Sequence, residues 1–233
     1  MRLQKLRKEV LEANLELLRR GLVLYTFGNA SGIAREEGLI VIKPSGVRYE
    51  TMKPQDLVVV GLDGKIVEGD LRPSSDLATH LVLYKAFKEV GGVAHTHSRA
   101  ATSWAQARRE IPCFGTTHAD YFLCAVPVTK ALKPVEIQND YELNTGLAIV
   151  RCVGKRDPMH LPGVLVAGHA PFCWGKTPAD AAHNAVIVEE IAAVALDTVT
   201  ANPKAKPLER VLHEKHFFRK HGSTAYYGQK KGR

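Results

Sequence analysis

The chain is short of cysteine, of unbroken apolar sequence and of acidic residues. Its four cysteines, Cys113, Cys124, Cys152 and Cys173, form no C-x-x-C pair. They read as reduced, mostly buried thiols of a cytoplasmic protein, and 233 residues bury enough surface to need no disulfide staples. The start, Met1 to Leu6, is amphipathic and does not read as a secretory leader. The longest apolar stretch, around Ala181 to Val199, is interrupted by His183, Glu189, Glu190 and Asp197. It is expected as a buried helix and not as a membrane span. Internal repeats and low-complexity linkers are absent.

Acidic residues number 24 against 32 Lys and Arg, a net charge of +8. The surplus fits a solvated basic surface or a phosphorylated substrate better than nucleic acid. The basic residues are dispersed, dense only at Arg108-Arg109 and from Arg219 to Arg233, and no recognition motif accompanies them.

Hydrophobic residues at 45% and charged residues at 24% describe an ordinary globular chain, expected as one α/β domain with a mixed or antiparallel sheet. Leu3, Leu6, Val10, Ala13, Leu17 and Leu18 recur at helical spacing up to Gly21. Leu22 to Phe27 reads as a β-type run, followed by a small-residue turn from Gly28 to Gly32. Leu39 to Ile42 is a short apolar strand. Leu57–Leu62 and Lys65–Glu68 flank Asp63-Gly64, a hairpin signal. Pro73-Ser74-Ser75-Asp76 opens a helix carrying Leu77, Leu81, Tyr84 and Phe87 on one face. Val93 to His97 reads as a strand, Ser98 to Ala107 as a short helix, and Val164 to Val166 as a strand ending at Gly168-His169. Pro178 starts the long helix. The chain is then read as helical from Pro203 to about His221.

His95 and His97 are two residues apart on a predicted strand, so both imidazoles point to one face. His169 also follows a buried strand, and Asp76 sits at a capped helix start. Three imidazoles and a carboxylate suit zinc, and the set also admits manganese or cobalt. His80, within the helix after Asp76, is read as a packed or surface residue, and His118, His160, His183 and His213 have no partner at ligand spacing and are read as structural.

The segments Gly28-Asn29, Lys43-Pro44-Ser45-Gly46, Pro73 to Asp76, His95 to Ser98, Gly115 to Tyr121 and Ala225 to Gln229 resemble the class II aldolase/adducin family in order and spacing. The last two resemble its sugar-phosphate 4-epimerase branch in particular, and the likeness spans almost the whole chain. The resemblance implies a three-layer α/β/α fold around a largely antiparallel sheet, one domain over residues 1–229, and a disordered basic tail over 230–233. It implies Asp76, His95, His97 and His169 as metal ligands. Gly28, Asn29, Ser45, Gly46, Ser74 and Ser75 would hold a substrate phosphate, with Lys43 close by; glycine N–H groups and serine hydroxyls are suited to anions. The implied reaction is retro-aldol cleavage of C3–C4 in L-ribulose 5-phosphate and re-addition to give D-xylulose 5-phosphate. Asp120 and Tyr227 would be the acid/base pair, Tyr227 reaching in from a neighbouring subunit of a homotetramer, with His216 lining the same wall. Ala170 stands after His169 where the family pattern has glycine. A class II sugar-phosphate aldolase is the nearest alternative, and a non-catalytic adducin-like interaction protein a more remote one.

Overall fold

A computed structural model describes residues 1–222 and 225–228. The chain runs α1 (Gln4–Arg19), β1 (Asn29–Ala34), β2 (Leu39–Ile42), β3 (Val58–Gly61), β4 (Ile66–Glu68), α2 (Leu77–Ala86), β5 (Gly92–His95) and α3 (Arg99–Gln106). It continues through α4 (Thr116–Ala119), α5 (Pro134–Gln138), α6 (Tyr141–Val153), β6 (Gly163–Leu165), β7 (Pro171–Gly175), α7 (Pro178–Ala201) and α8 (Arg210–Lys220). The strands form one sheet in the order β4-β3-β2-β1-β5-β7-β6, with every neighbouring pair antiparallel.

Side chains alternate across β1, and two adjacent residues define the layers. Ser31 faces α2: its Oγ lies 2.8 Å from Tyr84 Oη and 2.7 Å from His80 Nδ1. Gly32 faces α1 and α7, where an added Cβ would stand 2.7 Å from Pro178 Cγ and 2.8 Å from Leu6 Cδ1. Helices therefore cover both faces, giving the three-layer α/β/α architecture. The core between them is apolar, with Val10, Leu17, Ile40, Val59, Leu83, Val93, Phe172 and Val188 all fully buried. No helix among the described residues is long and apolar enough to cross a membrane.

Two sequence expectations are corrected. Leu22 to Phe27 is irregular, and most of the small-residue segment read as a turn belongs to β1, at the centre of the sheet. Gly32 has no side chain there because α1 and α7 approach closely, whereas Leu24, Tyr25 and Phe27 are exposed. Secondly, α8 begins only at Arg210. Pro203 and Pro207 have no N–H to donate, and Leu208 N instead donates to Cys113 O at 2.7 Å. The expectation for residues 230–233 falls outside the described residues.

The rest is close to expectation. The hairpin turns at Asp63-Gly64 with Gly64 at φ +85. The buried helix is α7, and one of its interrupting acids binds a neighbouring helix. The Glu189 carboxylate accepts from Ala100 N at 2.8 Å and Ala101 N at 2.9 Å. A carboxylate on the free N–H groups of α3 stabilises that helix start, which directly follows His97. All four cysteines are free thiols.

Candidate active site around three histidines

β5 ends at His95, and His97 lies on the connector to α3. His169 arrives from a loop after β6, turned by Gly168 at φ +73. Pairing of β5 with β7 brings this loop beside His95. His95, His97 and His169 then offer ligand atoms that all lie within 4.8 Å of one another. His97 Nε2 is 3.0 Å from His95 Nε2 and 3.3 Å from His169 Nε2. Ligands about 2.0–2.1 Å from a tetrahedral zinc sit about 3.3 Å apart, so the two separations from His97 match those around a divalent ion.

The ring orientations agree. His95 Nδ1 lies 2.9 Å from Pro171 O, an acceptor only, so Nδ1 carries the proton and Nε2 offers its lone pair. Burial lowers the pKa of His95 to about 3 and lowers those of His97 and His169 as well. All three rings are therefore neutral near pH 7, the state a metal ligand needs. Phe172 stacks on His95 with centroids 4.1 Å apart.

Asp76 stands beside this triad and not within it, with Oδ2 4.0 Å from His95 Nε2. It occupies the cap position of α2 but makes no capping bond. Its Oδ2 accepts instead from Asn29 Nδ2 at 2.7 Å. Burial pushes the Asp76 carboxyl up, but His95, His80 and Asn29 pull it down further, and the net shift is downward.

The same cleft, of about 390 Å³, is lined by the residues expected around a phosphate: Gly28, Asn29, Lys43, Ser45, Gly46, Ser74 and Ser75. Lys43 is buried, its Nζ 3.3 Å from Thr26 O and 4.7 Å from the centre of the Tyr49 ring. Burial lowers its pKa to about 8. Asn29 Oδ1 is buried with no hydrogen-bond partner among the described residues. The cleft thus combines a buried cation with hydroxyl and amide groups, the equipment of an anion site beside a candidate metal site.

Asp120, His216 and Tyr227 do not line this cleft; the structure brings them to one another. Arg219 donates from Nε to Asp120 Oδ1 at 2.9 Å and from Nη2 to Oδ2 at 2.7 Å. His216 Nδ1 is 3.1 Å from Oδ1, and Lys220 Nζ is 3.3 Å from Oδ2. Burial pushes the Asp120 carboxyl up, but Arg219, His216 and Lys220 hold it below the usual carboxylate range. Tyr227 covers the same cations, its ring centre 4.9 Å from Arg219 Cζ and 4.6 Å from Lys220 Nζ. Tyr226 and Tyr227 N–H groups both donate to Arg219 O at 2.9 Å.

The histidines set aside in the sequence do have structural partners. His118 Nε2 is 3.0 Å from Cys124 O, His213 Nε2 2.7 Å from Phe122 O, and His183 Nε2 3.1 Å from Tyr121 Oη. Sequence reasoning missed Tyr141 and Glu142, which also line the cleft. Nothing in their local pattern marks them, because they meet the histidines only when α6 packs on α2.

An antiparallel sheet between helical layers, with a histidine triad gathered from the end of β5, its connector to α3 and the loop between β6 and β7, defines a class. This chain belongs to the class II aldolase and adducin family: residues 8–196 match the family's Class II Aldolase and Adducin N-terminal domain. It is 56% identical over 228 residues to the L-ribulose-5-phosphate 4-epimerase UlaF of Salmonella paratyphi C (strain RKS4594), covering 98% of this chain and 100% of that one. The same figures hold for L-ribulose-5-phosphate 4-epimerase UlaF of Salmonella typhi. Among solved structures, L-fuculose 1-phosphate aldolase shares the fold with a TM-score of 0.77 at 23% identity, over 91% of this chain and 95% of that one. A sugar-phosphate aldolase from Thermotoga maritima does so with a TM-score of 0.66 at 19% identity, over 87% and 98%.

Proposed function

We propose that the chain is a metal-dependent cytoplasmic epimerase interconverting L-ribulose 5-phosphate and D-xylulose 5-phosphate by breaking and remaking C3–C4. One observation carries the reading. Three convergent imidazoles share a cleft with a buried lysine and a polar anion cradle, in a chain 56% identical over nearly its whole length to an L-ribulose-5-phosphate 4-epimerase.

His95, His97 and His169 would hold the ion, and Asp76, 4.0 Å from His95 Nε2, would serve as a fourth ligand; zinc suits three neutral imidazoles, and manganese or cobalt also fits. An ion held there would supply Lewis acidity for the negative charge that develops on the substrate. Lys43, cationic below about pH 8, holds the 5-phosphate with Gly28, Asn29, Ser45, Gly46, Ser74 and Ser75. Removal of the C4 hydroxyl proton releases the electron pair of C3–C4 into the ketone. The chain then holds a dihydroxyacetone enolate and glycolaldehyde phosphate. After the aldehyde turns its other face, C3 attacks it, and the new C4 alkoxide takes a proton from the opposite side. Asp120 and Tyr227 serve as the acid/base pair.

Asp120, His216 and Tyr227 all belong to the patch around Arg219, which does not line their own chain's cleft. In a homotetramer with sites at subunit interfaces, all three would be supplied together by a neighbouring copy. This revises the sequence expectation, in which only Tyr227 and His216 crossed over.

The test is incubation with L-ribulose 5-phosphate, with and without a chelator. D-xylulose 5-phosphate should form, stop on chelation and resume with zinc. Free aldehyde without inverted pentulose phosphate would instead establish an aldolase.

A further inference from the structure

The three histidines are held in different ways. His95 is fixed twice, through Nδ1 to Pro171 O and by the face of Phe172. His97 stacks on Phe27, centroids 6.1 Å apart. His169 lies on a loop, half-buried, and its only side-chain hydrogen bond outside the triad among the described residues is from Nδ1 to Tyr141 Oη at 3.2 Å.

Tyr141 is itself well anchored. It is the first residue of α6, and that helix is locked to α2. Thr79 Oγ1 donates to Glu142 O, and Thr145 Oγ1 donates to Tyr141 O at 2.9 Å. Gly146 allows the close approach, since a Cβ there would stand 2.7 Å from Val82 Cβ. The helix that carries Asp76 at its start is thus the one that places Tyr141.

We propose that Tyr141 is a positioning residue for the metal site: its hydroxyl oxygen accepts the Nδ1 proton of His169 and so turns the Nε2 lone pair toward His95 and His97. The inference rests on the metal reading above. A histidine whose second nitrogen is fixed has one tautomer and one ring orientation, and losing that partner costs about 10–100-fold in metal affinity. His169 needs such a partner more than His95 does, because no ring stacks closely on it and its backbone is a turn.

The test uses metal-free protein without substrate. Zinc affinity is measured by competition with a chromophoric chelator, and visible absorption is recorded after loading with cobalt. In Tyr141→Phe, zinc affinity should fall about 10–100-fold and the cobalt bands should shift, while the unfolding midpoint of the metal-free protein stays put. Tyr121→Phe removes a comparable tyrosine–histidine bond at His183 and should leave affinity and bands unchanged. Equal affinity and identical bands in wild type and Tyr141→Phe would overturn the inference alone. A wild-type protein that binds no zinc or cobalt would overturn the metal reading and this inference with it.

Discussion

Arg219 holds both carboxylate oxygens of Asp120, at 2.9 and 2.7 Å, while its guanidinium lies 4.9 Å from the centre of the Tyr227 ring. The two proposed acid/base groups are therefore mechanically joined through one cation. Asp120→Asn should keep zinc affinity, lower kcat by about 10²–10⁴-fold and loosen the segment around Tyr226 and Tyr227. Tyr227→Phe should lower kcat over the same range without loosening it, because the ring and its backbone bonds remain. Steady-state kinetics combined with limited proteolysis separates the two. Wild-type turnover in either variant removes that residue from the chemistry.

Lys43 is the buried cation of the cleft, and removing its charge should act on binding. Lys43→Met is expected to raise KM about 10–100-fold, the range of a lost hydrogen bond to a charged group. The wild-type protein should show the same dependence through pH. Burial lowers Lys43 to about 8, so the ammonium is present below that value and lost above it. KM for the sugar phosphate should be flat from about pH 6.5 to 7.5 and climb beyond about 8. A KM that holds steady well past that point would exclude Lys43 as the phosphate's counter-charge.

Two buried histidines away from the triad predict acid sensitivity of the metal-free fold. Burial lowers His80 and His118 to about 4 from 6.5. The unfolded chain takes up these protons first, so the native state loses stability as pH falls from about 6.5 toward about 4 and is unaffected above that window. The limit is roughly 3 kcal/mol for each ring. Urea unfolding at about pH 7.5, 5.5 and 4.5 measures the trend, and His118→Gln should make it shallower. Constant stability across that range would contradict it.

Close packing at the centre of the sheet gives a steric prediction. Gly32→Ala puts a methyl against Pro178 and Leu6 and should cost about 1–3 kcal/mol. Gly115→Ala meets nothing within 4 Å at φ −148 and serves as the neutral comparison. Equal thermal midpoints in the two variants would refute the close approach of α1 and α7.

What was legible in the sequence is what short-range geometry controls. The helical period marked α1 and Asp63-Gly64 marked a hairpin, whereas the strand expected through His97 ends at His95, so that the connector and not a period of two places His97 beside it. The same rules misread the stretch around β1. Leu22 to Phe27 has the composition of a strand, but only tertiary packing decides that Gly32 must lack a side chain to lie under two helices, and that Gly28 must lack one to pass His95 O and Val23. Asp76 could be picked out from its position at a helix start, yet its carboxylate makes no capping bond and meets Asn29 instead.

The sequence by itself determined which residue types were available and which neighbours along the chain shared a face, because backbone periodicity needs no distant partner. The tertiary structure alone decided that His169 reaches His97, that Tyr141 stands behind His169, and that Asp120 is held by Arg219 and not by the cleft. Those pairs are separated by 72, 28 and 99 positions. Strand pairing and helix packing bring them together, and no local pattern encodes an encounter across such lengths of chain.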